Sequence, residues 1–381
     1  MKKDSFSREY TEERDMLYKE SFYAKEGLAD IYHSVMEGNR ITPEQGLRLL
    51  EHSNIQAVGA LAHHVRMRKH GTNTYFVRNM HLNYSNVCIH PCTFCAFKRS
   101  SEQSEGAFIY SHDELLEQLA QEQAEFAEIH IVGGCHPTLS LEWFTSLVKK
   151  IKALQPQADI KMFTAVEIDH LAQIENIRIE DVLQALKDAG ASMLTGGGAE
   201  IFAPRVRKQV CPTKLNAEEW LHVHSVAHSM GYLTNCTMLF GHIETIEERI
   251  DHLCRLRELQ DKTHGFICFI PLPYQRKNNP LSSKVTTNDS YMDRMKTIAV
   301  SRLMLDNIEH IKAYWIMLGV KEAQSALYFG ADDIDGTIVE EKIGHWAGAN
   351  SSHALHIDEL RFMITQSGFT PVCRNARFLA A

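Results

Sequence analysis

The sequence predicts an α/β fold, a (β/α)8 TIM-type barrel that carries an N-terminal helical extension and a C-terminal cap. Three observations predict it. Short β-rich runs alternate with amphipathic helical stretches, which is typical of a parallel sheet. Eight such runs can be counted, and together they occupy residues 75–330, close to the roughly 250 residues of such a barrel. We expect residues 1–74 to form the extension and residues 331–381 to form the cap of the same domain.

The N-terminal extension is predicted to be helical because its apolar residues follow helical spacing. Leu28, Ile31 and Val35 lie on one such face. Thr42 and Gln45 have the spacing of a capping box around a proline at the first helical position. A helix is therefore expected to begin at that point.

The predicted barrel elements are bounded by glycine, proline or polar residues. The strands are Val77–Tyr84, Glu128–Val132, Ile160–Thr164, Ser192–Leu194, Leu233–Leu239, Gly265–Ile270, Ile311–Ile316 and Ala326–Tyr328. The helices of the outer ring are Ser111–Glu125, Leu141–Leu154, Ile179–Ala189, Ala217–Met230, Thr245–Gln260 and Asp289–Asn307. After Gly330 we expect the chain to cover the barrel mouth as a lid, with one more helix over His356–Gln366.

The composition narrows the class of protein. The formal net charge is -8, whereas proteins that bind nucleic acid usually present a basic surface to the phosphates. No nucleic acid partner is therefore expected. No window reaches the roughly 18 apolar residues of a membrane span, and the opening MKKDSFSREYTEERD lacks the apolar segment of a secretory signal. These features predict a cytoplasmic protein without a membrane partner.

The nine cysteines include one tight group, which points to metal binding or catalysis. Cys88, Cys92 and Cys95 form a C-x3-C-x2-C pattern just after the first predicted barrel strand. Three thiolates on one loop can hold three corners of an iron–sulfur cube and leave the fourth iron open. The alternative is a structural zinc site that uses these cysteines with His90 or His81, although zinc sites usually use two C-x2-C pairs.

The cysteine pattern resembles the signature of the radical S-adenosylmethionine (SAM) superfamily, with Phe94 at its aromatic position. The resemblance implies a [4Fe-4S] cluster on Cys88, Cys92 and Cys95 whose open iron binds the methionine moiety of SAM. One electron from the cluster then cleaves SAM to methionine and a 5′-deoxyadenosyl radical.

Glycines at two strand ends are the next candidates. Gly133 and Gly134 follow the second strand, where the superfamily uses a glycine-rich stretch for the methionine amino group; the alternative is a tight β–α turn. Cys135 comes next and departs from the common glycine pattern, which raises the question of an exposed thiol.

The other glycine stretch ends the fourth strand. Gly197 and Gly198 leave an open backbone shelf, and the resemblance implies that Glu200 binds the ribose of SAM. The alternative for Glu200 is a carboxylate that complements the dipole of a helix over Phe202–Val210.

Three further residues are candidates for binding substrate. His242 closes the fifth strand, Arg276 follows the sixth strand, and Lys312 lies on the seventh. A guanidinium can pair with a carboxylate in a bidentate fork, which favours Arg276 as an anchor. The alternatives are a structural histidine and a solvated loop arginine.

Longer segments resemble one family within the superfamily, aminofutalosine synthase of the futalosine route to menaquinone. They are VRNMHLNYSNVC, IHIVGGCHPTLSLEWF, FTAVEIDH, GGGAEIFAPRVRKQVCP, TMLFGHIETIEERIDHLCRLRELQD and IKAYWIMLG. This resemblance implies a radical that adds to the enol ether of 3-[(1-carboxyvinyl)oxy]benzoate. Rearrangement, loss of carbon dioxide and re-oxidation by one electron then give 6-amino-6-deoxyfutalosine, and the initial electron comes from an external donor of the flavodoxin or ferredoxin type.

Two kinds of alternative stay open at this point. Dehypoxanthine futalosine cyclase and the F0 synthase subunits share the cysteine and GGGAE-like segments but act on other substrates. A protein of another class, a zinc-stabilised binding protein without turnover, is also compatible with the cysteine loop.

Overall fold

The computed structural model describes residues 19–122, 124–286, 290–352 and 354–380. The opening segment on which the secretory signal was judged, and the predicted helix start at Asp289, lie outside the described residues. The α-helices of the described residues are α1 Glu20–Lys25, α2 Ala29–Glu37, α3 Pro43–Glu51, α4 Ile55–His70, α5 His112–Gln121, α6 Leu141–Leu154, α7 Ala165–Glu175, α8 Ile179–Ala189, α9 Pro204–Val210, α10 Ala217–Ser229, α11 Ile246–Thr263, α12 Tyr291–Met304, α13 Trp315–Leu318, α14 Val320–Ala326, α15 Ile343–Trp346 and α16 Ile357–Gln366. The strands are β1 Asn73–Val77, β2 Asn79–Leu82, β3 Glu128–Ile131, β4 Asp159–Met162, β5 Ala191–Leu194, β6 Leu233–Phe240, β7 Phe266–Pro273, β8 His310–Ile311, β9 Asp333–Gly336 and β10 Thr370–Arg374.

The barrel wall consists of strands that follow one another in chain order. Strands β2 to β8 form a seven-stranded sheet in the order β2-β3-β4-β5-β6-β7-β8, and every neighbouring pair is parallel. Single parallel bridges join Lys312 to Asp333 and Met80 to Val339, so β9 and the residues after it stand between the two edges of the sheet. The predicted barrel class of fold is confirmed.

Two predicted strands differ from the structure. The strand expected over Ile311–Ile316 ends as β8 at Ile311, and the helix α13 begins at Trp315. The other predicted strand is wrong throughout. Residues 326–328, expected to form the eighth strand, instead continue from α14 into a short 3-10 helix over Leu327–Phe329. Ala323, Ala326 and Leu327 are buried and lie three and four residues apart, which is the spacing of one helix face. The eighth position in the wall belongs to β9, in the segment that was assigned to the cap.

The N-terminal helices pack against helices of the outer ring: α3 contacts α11 and α12, and α4 contacts α12. Thr42 and Gln45 form the predicted capping box at the start of α3. Gly46 on α3 lies so close to α12 that a Cβ atom there would stand 2.6 Å from the Met304 sulphur. Leu28, Ile31 and Val35 are all buried, as expected from their spacing.

The C-terminal segment divides between the two ends of the barrel. Residues 341–347 border the mouth, whereas β10 pairs in parallel with β1 and places Arg374 in the barrel floor. Part of the tail therefore lies at the mouth, where a lid was expected, and its last strand lies at the opposite end. Within the described ranges, no helix is both long and apolar enough to cross a membrane.

Candidate active site

A cavity of about 310 Å³ occupies the barrel interior and opens where the strands end. In barrels of this type the chemistry is found at the carboxyl ends of the strands. The volume lies within the roughly 300–1,000 Å³ of small-molecule sites. Every candidate metal ligand and cofactor-binding residue predicted from the sequence lines this cavity: Cys88, Cys92, Phe94, Cys95, Gly133, Gly134, Gly197, Gly198 and Glu200.

The cysteine loop is held at the mouth by backbone hydrogen bonds to neighbouring loops. The Cys88 amide donates to the Arg99 carbonyl at 2.9 Å, and the Ile89 amide donates to the Cys135 carbonyl at 3.1 Å. The Thr93 amide donates to a carbonyl at the end of α9, also at 2.9 Å. All three cysteine side chains therefore face one space from a fixed loop.

The spacing of the three sulphurs fits a cluster better than a single ion. Among the described residues, only His70, His310 and Asp332 bring three ligand atoms within 4.8 Å of one another. The three loop sulphurs are therefore more widely spread. Zinc–sulphur bonds of about 2.3 Å in a tetrahedral site would hold sulphurs roughly 3.8 Å apart. The wider arrangement fits thiolates on separate corners of an iron–sulfur cluster.

Burial controls the protonation of these thiols. It raises the pKa of Cys92 to about 12 and raises the pKa of Cys95. Cys135 hydrogen-bonds to Cys88 and lowers the pKa of Cys88 to about 6. Buried thiols become thiolates when a metal supplies the compensating charge, as iron would here. Cys135 itself is 4% exposed, which answers the question of whether its thiol is exposed.

The two glycines after β3 are required by the cysteine loop itself. A Cβ atom at Gly134 would lie 2.1 Å from the Val87 carbonyl oxygen, immediately before the first cysteine. A Cβ atom at Gly133 would lie 2.8 Å from the Ser85 carbonyl oxygen. The backbone of this turn can therefore approach the loop only because both side chains are missing.

Glu167, which the sequence analysis missed, ties this turn to α7. One carboxylate oxygen accepts from the Gly133 amide at 3.0 Å and from the Tyr84 hydroxyl at 2.8 Å. The other oxygen accepts from the Thr164 amide at 2.8 Å. Burial raises the pKa of Glu167 to about 7. The Thr164–Glu167 capping-box spacing was visible in the sequence, but it marks a helix start and carries no sign of the contact with Gly133.

Glu200 lies on the glycine shelf after β5 in a left-handed backbone conformation, with φ of 47°. Its carboxylate lies 2.9 Å from the Lys214 ammonium, and that ammonium lies 5.3 Å from the Phe94 ring centroid. Because α9 begins only at Pro204, Glu200 is not in the first turn of a helix, as the alternative required. Glu200 and Lys214 instead form a charged pair on the cavity wall.

The three predicted substrate contacts fall in different places. His242 is buried outside the cavity lining, where it contacts the Leu239 carbonyl at 2.9 Å and the Glu244 carboxylate at 3.0 Å. Arg276 is exposed and also lies outside the lining. Lys312 does line the cavity, 2.8 Å from Asp335.

Comparison with known proteins agrees with this geometry. Residues 82–256 match the family model of the radical SAM superfamily, and residues 263–380 match the CofH/MqnC C-terminal region. The chain is 42% identical to aminodeoxyfutalosine synthase of Thermus thermophilus over 354 residues, 92% of this chain and 95% of that protein. It is 40% identical to aminodeoxyfutalosine synthase of Streptomyces coelicolor over 359 residues, 92% of each chain.

A solved structure supports the fold. The crystal structure of methylornithine synthase superimposes with a TM-score of 0.74 at 18% identity and covers 91% of this chain and 98% of that chain. The barrel and its cysteine loop thus define a radical SAM enzyme, a class that implies an iron–sulfur cluster and the use of SAM. Within that superfamily, the chain belongs to the family of the aminodeoxyfutalosine synthases.

Proposed function

We propose that the protein forms 6-amino-6-deoxyfutalosine from SAM and 3-[(1-carboxyvinyl)oxy]benzoate in menaquinone biosynthesis. The observation that carries this proposal is the identity of 40–42% to two aminodeoxyfutalosine synthases over nearly the whole chain. The arrangement of the cavity supports it, because the cysteine loop and the glycine shelf border one enclosed space.

Cys88, Cys92 and Cys95 are the proposed ligands of a [4Fe-4S] cluster. Their shared position on one anchored loop and the wide spacing of their sulphurs support this assignment. When bound, the cluster would bind SAM through its fourth iron and supply the electron that yields the 5′-deoxyadenosyl radical. Ile89, beside the first cysteine, is 49% exposed, so the loop reaches the surface where a flavodoxin or ferredoxin type donor would approach.

The proposed SAM site lies between the cysteine loop and the glycine shelf. Gly133 and Gly134 bring backbone to one side, Gly197 and Gly198 to the other, and Phe94 stands on the loop. Glu200 is the proposed hydrogen-bond acceptor for the ribose hydroxyls. Its pairing with Lys214 supports this role, because the ammonium keeps the carboxylate in place and faces the same cavity.

The space beside the proposed SAM site is the proposed substrate site. Leu239, Ile270 and Leu272 contribute an apolar wall that excludes water from a reactive radical. The addition needs little acid–base chemistry and depends on positioning, because the radical has to meet one carbon before any hydrogen donor. Lys312 is retained as a proposed substrate-facing cation. The acidic net charge and the small cavity inside the barrel support an enzyme that acts on small molecules without nucleic acid, and a cytoplasmic location is part of the proposal.

The test is anaerobic turnover with reductant, SAM and 3-[(1-carboxyvinyl)oxy]benzoate, read by mass spectrometry. We expect aminodeoxyfutalosine from the natural chain and none from the Cys92→Ala variant. Cys254→Ala is the matched control, because Cys254 lies outside the cavity lining.

The same assay separates the alternatives. Formation of 5′-deoxyadenosine without the adduct would retain the superfamily and reject the substrate. Turnover of dehypoxanthine futalosine would favour the cyclase of the same pathway. No cleavage of SAM by protein with a full complement of iron and sulfide would contradict the proposal.

A further inference from the structure

Three polar side chains form a layer across the barrel below the proposed SAM site. His81, His130 and Lys161 are register partners on β2, β3 and β4, and all three line the cavity. His130 precedes Gly133 by three residues, and Lys161 precedes Thr164 by three. At about 3.3 Å per residue, the layer lies roughly 10 Å below Gly133 and Thr164.

The two imidazoles have hydrogen-bonding capacity that the protein does not use. His81 is 6% exposed, and its Nε2 atom is buried with no hydrogen-bond partner among the described residues. The His81 and His130 ring centroids lie 4.4 Å apart, so the rings face the cavity as a pair. A buried polar atom of this kind normally has a partner, and a bound ligand can supply it.

Lys161 adds a positive charge that is only partly compensated. Its ammonium lies 2.5 Å from Glu128, and Glu128 is shared with Arg374 at 3.9 Å. Burial lowers the pKa of Lys161, and the Glu128 carboxylate opposes that shift. An ammonium has three donors, so Lys161 can still donate to a ligand. Lys312, by contrast, faces two carboxylates, Asp335 at 2.8 Å and Asp333 at 3.7 Å.

The chemistry of the proposed reaction orients the substrate. The vinyl carbon has to meet the 5′ carbon of SAM at the strand ends, so the far side of the aromatic ring points down the barrel. The ring carboxylate is on that side, and it remains in the product, whereas the vinyl carboxylate is lost as carbon dioxide. A site for the ring carboxylate would therefore hold the ring in place while it migrates.

We propose that His81, His130 and Lys161 form the binding subsite for the ring carboxylate of the substrate. This inference rests on the proposed function and assigns to these residues a positioning role. Imidazole N–H groups and the ammonium donate to the carboxylate oxygens, which gives charge-assisted hydrogen bonds in an enclosed site.

The test uses a substrate analogue without the ring carboxylate, [(1-carboxyvinyl)oxy]benzene. With the natural chain reconstituted anaerobically in the presence of SAM, we expect calorimetry to show binding of the analogue at least tenfold weaker than that of the substrate. In His81→Leu and Lys161→Met, binding of the substrate should weaken by a similar factor, and the preference for substrate over analogue should shrink toward unity. His81→Gln, which keeps a donor, should retain part of the preference.

Controls keep the outcomes distinct. His222→Leu and Lys152→Met change the same residue types outside this cavity and should preserve the full preference. Iron content and melting temperature identify variants that fold poorly, and the analogue tests the natural chain without any substitution. Equal binding of substrate and analogue by the natural chain, or an unchanged preference in well-folded variants, would overturn the subsite. Absence of aminodeoxyfutalosine from the natural chain with a loaded cluster would overturn the proposed function instead.

Discussion

The Glu167 carboxylate accepts the Gly133 amide at 3.0 Å, and this contact couples the start of α7 to the turn that supports the cysteine loop. The same carboxylate also accepts from Tyr84 and Thr164. Glu167 is 4% exposed, so its donors have no access to bulk water that could replace it. The loop that is proposed to hold iron follows β2. It thus depends on a residue of α7, which follows β4.

We expect Glu167→Ala to lower the free energy of unfolding by about 2–4 kcal/mol, because several buried donors lose their acceptor. Denaturant unfolding followed by circular dichroism measures it. Glu117→Ala, an exposed position on α5, should change stability by less than about 0.5 kcal/mol. Equal stabilities for the two variants would show that the Glu167 contacts contribute nothing.

Replacement of Gly134 by alanine should disrupt the cysteine loop. The added methyl group would lie 2.1 Å from a backbone oxygen, and backbone cannot move aside as a flexible side chain does. We expect the iron content after anaerobic reconstitution to fall by more than half. At Gly197 the added methyl would meet the end of the Thr164 side chain, so Gly197→Ala should keep its iron. Full iron content in Gly134→Ala would contradict this role.

Arg374 should contribute strongly to stability from the barrel floor. It is 1% exposed, lies 2.5 Å from Asp333 and is shared with Glu128. Arg374→Ala removes the closest cation of the buried Asp333 and one of the two cations beside Glu128, so we expect a loss of about 3–5 kcal/mol in urea unfolding. Arg377, an exposed residue 3.5 Å from Asp159, is the matched control, and its replacement by alanine should cost about 0–1 kcal/mol. Similar losses for both arginines would refute the assignment.

Stability should depend on pH through His345. The Glu341 carboxylate, 2.9 Å away, raises the pKa of His345 to about 9. Because the folded pKa lies above the unfolded value, this stabilisation is fully present below about pH 6.5 and is lost as the pH rises through 9. The melting temperature should therefore fall across this interval, and the part of the fall due to this pair should disappear in His345→Gln. Identical pH profiles for the two proteins would exclude the effect.

Glu200→Ala should weaken the binding of SAM and leave KM for the substrate unchanged. Loss of a charge-assisted hydrogen bond of about 1.4 kcal/mol corresponds to a tenfold rise in KM for SAM. Arg276→Ala should change KM for neither reactant, because Arg276 lies outside the cavity lining. Steady-state kinetics with each reactant varied in turn checks both. An unchanged KM for SAM in Glu200→Ala would remove Glu200 from the SAM site.

Local patterns predicted the regular elements well where apolar spacing and capping act together. Leu141–Leu154 and Ile179–Ala189 have the predicted bounds, and the Thr42–Gln45 capping box is present. α7 was missed because its residues 165–168, 170–172 are buried on most sides, so no single apolar face marks it as a helix. β9 was missed because the sequence DIDG is acidic. Its aspartates can be buried because they form ion pairs with Arg374 and Lys312, which come from other parts of the chain.

The sequence by itself determined that the chain alternates strands with helices and that three cysteines share one short loop, because both depend on neighbouring residues. It also determined the family, since the matching segments run through most of the barrel. Only the tertiary structure decided which polar side chains reach the cavity. His242 and Arg276 follow strand ends, as Gly133 does, yet neither of them lines the cavity. His81, His130 and Lys161 lie together in one layer of the cavity wall. Strand register and the closure of the barrel place these residues together, and neither can be read from local spacing.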